Sequence, residues 1–135
     1  MDFGKSTVLG AALIWLVVPD IGRAQGPCDN AMNTITIRAC LDKAYAQADV
    51  ELNAVWKQVM AQLADADPMP AKERKAWKEE LLESQRAWIK FKEHDCDAAG
   101  FEWFGGTGAP GAILSCLLEH TEARTKDLRA RYLDR

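Results

Sequence analysis

The chain has 135 residues, 48% of them hydrophobic, and a formal net charge of −3. That balance lacks a polybasic signature and excludes a protein held to nucleic acid or an anionic membrane by bulk charge. The length allows one domain with a modest core.

The first element reads as an export signal covering residues 1–24. Lys5 supplies a positive start and residues 8–18 ("VLGAALIWLVV") form an uncharged run of eleven, which Pro19 breaks. Gly22, Arg23 and Ala24 then offer small residues where a signal peptidase reads. Eleven apolar residues are too few to cross a bilayer, which takes about 20. Cys28 follows "QGP" rather than a lipobox, so no lipid anchor is expected. Cleavage near Ala24 would release one soluble domain, residues 25–135, into the periplasm or the medium. The leader holds two acidic and two basic residues, so the mature chain keeps a charge of −3.

All four cysteines, Cys28, Cys40, Cys96 and Cys116, lie beyond the leader. In an oxidising compartment an even count in a small chain reads as two disulfides. Cys28–Cys40 and Cys96–Cys116 are favoured because each pair joins sequence neighbours across a turn or loop. A metal site is the competing reading, since Cys116 and His120 share a helical face and His94 lies beside Cys96. His94 and Cys96 do not share a face, however, and there is no Cys-x-x-Cys. No metal or cofactor is therefore expected.

Past Cys28 the apolar residues recur at helical steps. Ile37, Leu41, Ala44, Ala48, Leu52, Val55, Val59 and Leu63 describe a long first helix, with Thr34 or Thr36 as its N-cap. Pro68 and Pro70 in "ADADPMP" stop it. A second helix spans about 71–98, its inner face lined by Trp77, Leu81, Gln85, Trp88, Lys92 and Cys96. Leu82, Ile89 and Phe91 widen that face, and "KERKAWKEE" forms a solvated charged one. A third helix spans about 110–132, with Pro110 in its first turn and Ile113, Leu117, Thr121, Arg124 and Leu128 facing inward. No segment alternates with period two. The expected fold is all-α: an antiparallel three-helix bundle stapled by two disulfides. In that topology all four cysteines gather at one end, so pairing of Cys40 with Cys96 or Cys116 stays sterically open.

Four polar residues fall on or beside the apolar lines: Asp49, Asn53, Gln85 and Arg124. They are expected to form a buried network, with Arg124 forking onto Asp49. No His-Glu-x-x-His, Gly-x-Ser-x-Gly or phosphate-loop motif is present, and the glutamates at 79, 80 and 83 lie on the solvated face. No enzymatic activity is expected.

Residues 100–111, "GFEWFGGTGAPG", set three large aromatics among five glycines. Monomers rarely expose large apolar patches, so at least two of Phe101, Trp103 and Phe104 are expected to cap the bundle. Trp103, beside Glu102, is the aromatic expected to face a partner.

Three blocks carry a family resemblance. "CLDKAYAQADVELNAVW" (40–56), "LLESQRAWIKFKEHDC" (81–96) and "GGTGAPGAILSCLLEHTEARTKDL" (105–128) together resemble the LprI-like lysozyme inhibitor family. Trp56 and Phe91 stand where tyrosine is common there, Lys92 where arginine is usual and Thr107 where serine is usual. The resemblance implies an exported helical protein and, for some members, inhibition of lysozyme. The expected activity is then occlusion of the glycan cleft of a lysozyme or other muramidase. Phe101, Glu102, Trp103 and Phe104 are the candidate contact residues. The alternative is an envelope stress or structural adaptor whose partner binds the charged face of the second helix and which leaves lysozyme untouched.

Overall fold

The computed structural model describes residues 27–134, so the expected signal peptide at residues 1–24 lies outside them. Three helices follow one another: α1 (Thr34–Ala64), α2 (Ala71–Phe101) and α3 (Ala109–Tyr132). No strand occurs among the described residues. None of the described helices is long and apolar enough to cross a membrane.

Local chemistry fixes the helix ends. Asn33, not Thr34 or Thr36, caps α1: its side chain accepts from the backbone N–H of Ile35 at 3.1 Å and of Thr36 at 2.9 Å. The Thr36 hydroxyl in turn accepts from the Asn33 N–H at 3.3 Å, closing a reciprocal capping box. Between α1 and α2 the Asp67–Pro68 peptide is cis. The N–H of Arg74 donates back to the Pro70 carbonyl, and α2 begins at the next residue after that proline. Pro110 sits in the first turn of α3, where its missing N–H costs nothing.

The inner faces match the periodicity, except that Ile89 and Phe91, expected to widen the inner face of α2, are exposed because they lie too far around the helix from the stripe that meets α3. Leu52, Val55, Val59 and Leu63 from α1, Leu81 from α2 and Leu128 from α3 form the main core, with Trp56, Trp77, Trp88 and Tyr132 packed around it. Val55, Val59 and Leu128 are wholly removed from water, each stabilising the fold by about 2 kcal/mol. A second cluster joins Leu41 and Ala48 to Leu118, with Cys28, Ile37, Tyr45 and Leu114 against it. The starts of α1 and α3 therefore share one end of the bundle, and α2 runs opposite to both. α3 packs on both other helices, whereas α1 and α2 touch each other least. Thr121 and Thr125, buried on α3, satisfy their hydroxyls on the Leu117 and Thr121 carbonyls at 2.7 and 2.8 Å.

Both favoured disulfides are present. Cys28 pairs with Cys40 (Cα–Cα 5.8 Å) and Cys96 with Cys116 (Cα–Cα 5.4 Å). The first ties the incoming chain to α1, and the second ties the end of α2 to the start of α3.

Candidate functional site

The α2–α3 connection is not the cap that burial statistics lead one to expect. α2 continues to Phe101, about one turn past residue 98, so the connection shortens to residues 102–108. Gly100 is buried, and a Cβ there would stand 2.8 Å from Ile113 Cδ1, so glycine lets α2 and α3 approach closely. One residue on, roughly 100° around the helix, Phe101 points away from that contact and is 75% exposed. Phe104 is 91% exposed and Trp103 53%. The expectation that two of the three pack inward is overturned. The extended helix carries the aromatics beyond the end of the core, and the close α2–α3 contact leaves no space beneath them.

Trp103 is the least exposed of the three because its ring folds back over the loop. A Cβ on Gly108 would lie 2.3 Å from its Cε3. The turn is hydrogen-bonded throughout: the N–H groups of Trp103, Phe104 and Gly106 donate to the carbonyls of Gly100, Phe101 and Trp103 at 3.2, 3.1 and 3.0 Å. Gly105 takes the left-handed conformation (φ 81°) that the reversal requires. Met32 and Ile35, at the start of α1, are also exposed at this end of the bundle. Sequence reading did not single them out, because they flank the N-cap and belong to no helical stripe.

Charge is uneven along the same axis, although Arg38 and Lys43 of α1 lie at the tip end and Glu73, Glu79 and Glu80 at the other. No lysine or arginine occurs from residue 93 to residue 123, whereas that stretch holds Glu93, Asp95, Asp97, Glu102, Glu119 and Glu122. Lys72, Arg74, Lys75 and Lys78 open α2 at the far end, and Arg129 and Arg131 close α3 there. The aromatic tip thus projects from the anionic end of a molecule whose net charge is small.

The four polar candidates do not form one network. Arg124, on the side of α3 that meets α2, donates to Gln85 Oε1 at 3.0 Å, Asp127 Oδ2 at 3.3 Å and Ser84 Oγ at 3.5 Å. Its guanidinium also lies 5.8 Å from the Trp88 ring. Burial pulls the Arg124 pKa below its ordinary value, and the Asp127 carboxylate opposes that shift. Asp49 instead bonds along its own helix, accepting from Asn53 Nδ2 at 3.0 Å, with Asn53 exposed. The expected Arg124–Asp49 fork is therefore corrected. Arg124 is turned towards α2, where Gln85 and Ser84 take its hydrogen bonds, and Asp49 on α1 is held by Asn53 instead.

Two polar residues at the Cys96–Cys116 end stand where the sequence placed them, but with partners that it did not reveal. Lys92 is buried, donates to the Tyr45 hydroxyl at 3.2 Å and lies 4.9 Å from the Trp88 ring. Its place on the α2 stripe, four residues from both Trp88 and Cys96, was the available signal. His120, beside the disulfide, holds Asp95 Oδ2 at 2.9 Å through Nε2 and meets the Phe91 ring edge-on at 5.4 Å. His94, on the other hand, is exposed. A groove of about 450 Å³ lies between α1 and α3 and is lined by Glu51, Glu122 and Arg129 among others. It is far from the tip aromatics in sequence and takes up none of the predicted site residues.

These features define a class: a small disulfide-stapled helical bundle whose distinctive surface is a projecting aromatic tip on an anionic end. The family follows from comparison. The model of the family described as lysozyme inhibitor LprI matches residues 27–128, and the chain belongs to that family. An uncharacterized protein of Rhizobium meliloti (strain 1021) is 35% identical over 109 residues, covering 76% of each chain. No solved structure matches.

Proposed function

We propose that the chain is an exported inhibitor of a lysozyme-type muramidase, seated on the enzyme's glycan cleft through the α2–α3 tip. The observation that carries this reading is the set of three exposed aromatics on a disulfide-stapled connection whose flanking stretch, residues 93–123, contains no lysine or arginine. Aromatic anchors on a rigid support give tight contacts at low entropic cost, and an anionic surround steers a cationic enzyme towards them. Phe104 and Phe101 are the anchors. Trp103 shapes the loop from half-cover, and Glu102 and Asp97 supply charge. Two disulfides fit an oxidising compartment, and the leader at residues 1–24 delivers the chain there.

The test is cell-wall lysis followed by turbidity, with the oxidised mature chain in slight excess over several lysozyme types. Slowed lysis by at least one enzyme type is expected. Unchanged lysis by all of them would remove the inhibitor reading in favour of an adaptor that uses another face.

A further inference from the structure

We infer that the contact surface does not end at the α2–α3 tip but continues onto the start of α1, where Met32 and Ile35 give the same cationic muramidase a second apolar anchor. The inference rests on the inhibitor reading above. Among the described residues, the large apolar side chains that are at least 75% exposed are Met32 (93%), Phe104 (91%), Ile35 (80%) and Phe101 (75%), and all four lie at one end of the bundle. Cys28 and Ile37 pack with Leu114 and Leu118, which sets the start of α1 beside the start of α3, directly after the tip residues 102–108. Exposed apolar groups gathered in one region mark a partner site, whereas the same groups scattered singly would not.

The start of α1 is built to hold these side chains out. The Cys28–Cys40 disulfide closes the chain around both of them. Within that loop the Ala31 N–H donates to the Cys28 carbonyl at 2.9 Å, and the Asn33–Thr36 capping box fixes the first turn of the helix. A segment ordered before it binds loses little freedom on binding. Stiff, β-branched Ile35 suits a defined contact, and unbranched Met32 adapts to an uneven one.

Area and charge name the occupant. Three aromatics cover at most about 450–750 Å² when fully buried, and Trp103 is already half-covered by its own loop. A stable interface takes about 800 Å² from each partner, so the tip alone falls short and the α1 start makes up the difference. Residues 27–37, like residues 93–123, contain no lysine or arginine, the first basic residue of α1 being Arg38. A second copy of this chain would bring two such stretches of like charge together, whereas a cationic enzyme is drawn to them.

The test titrates the oxidised mature chain, its Met32→Ala/Ile35→Ala variant and a control, Val50→Ala, against a lysozyme in the lysis assay. Val50 is 70% exposed but lies midway along α1. The double variant should inhibit about ten-fold more weakly with Tm within about 2 °C of the parent, since both side chains are exposed. Val50→Ala should inhibit like the parent. If the Tm of the double variant falls further, Met32→Ala alone, which lies outside the helix, decides with an expected loss of about three-fold. Undiminished inhibition by the α1 variants would overturn this inference and leave the inhibitor reading standing. An equal loss in Val50→Ala would overturn it too, by moving the contact to the side of α1. A parent that sediments as a dimer, and as a monomer once Met32 and Ile35 are replaced, would give the surface to a second copy instead. A parent that slows no lysozyme removes the inhibitor reading itself, and this inference with it.

Discussion

Asp49→Ala and Arg124→Ala, measured side by side, separate the observed polar arrangement from the pairing that the sequence led one to expect. A buried Asp49–Arg124 pair would make either change cost roughly 3 kcal/mol or more, since each strands a charge. In the structure Asp49 bonds to Asn53, an exposed neighbour on its own helix. Its loss should therefore cost no more than about 0.5 kcal/mol. Arg124, with a side chain 13% exposed, holds Gln85, Asp127 and Ser84 and stacks near Trp88. The hydrogen bond from its charge to Gln85 contributes about 1.5 kcal/mol. The half-screened Asp127 contact adds about 0.5 kcal/mol, and the Trp88 contact about 0.5 kcal/mol. Released desolvation of the guanidinium offsets part of that sum. The expected net cost is about 2 kcal/mol, or a fall in Tm of about 8 °C for a domain of this size. Thermal and urea unfolding by far-UV circular dichroism reads both variants. Equal losses, or a larger loss for Asp49→Ala, would refute the assignment.

Leu128→Ala removes a fully buried side chain from the core shared by all three helices and should cost about 3 kcal/mol in urea unfolding. A cost below about 1 kcal/mol would mean that the core is loosely packed. The double variant Cys96→Ser/Cys116→Ser opens a link of sequence separation 20 and should lose about 3 kcal/mol by loop entropy. Stability unchanged from that of the oxidised parent would count against the staple. Gly108→Ala suits the local backbone (φ −81°, ψ −23°) but drives a Cβ into the Trp103 ring. Its Tm should stay within about 2 °C of the parent while Trp103 becomes easier to quench, because this half-exposed ring can swing into solvent. A large fall in Tm would make Trp103 part of the core.

The helices were legible because burial follows period 3.6: the α1 stripe from Ile37 to Leu63 and the α2 stripe from Trp77 to Cys96 stand inward as spaced. The cysteine pairing was legible as a preference only, since the topology gathers all four at one end. What stayed hidden depends on which neighbour each helix face meets. Arg124 lies on the correct line of α3, but spacing along one helix does not say whether that line opens onto α1 or α2. The tip misled for another reason. Apolar residues are inside on average, and the composition of residues 100–104 did not reveal that α2 would carry Phe101 past the last core contact at Gly100. The absence of lysine and arginine from residues 93–123 was in plain view, but it gained meaning only once those residues shared one end of the bundle.

The central claim is that the exposed tip makes the contact, and a paired lysis measurement tests it most directly. The oxidised mature chain, its Phe104→Ala variant and a control, Glu79→Ala, on the solvated face of α2, are titrated against a lysozyme that the parent inhibits. Phe104 is 91% exposed, so its truncation should leave Tm unchanged. Loss of an anchor should weaken inhibition by ten-fold or more, equivalent to at least about 1.4 kcal/mol. Glu79→Ala should inhibit like the parent. Full inhibition by Phe104→Ala, with the loss appearing in Glu79→Ala instead, would contradict the account and move the contact to the side of the bundle.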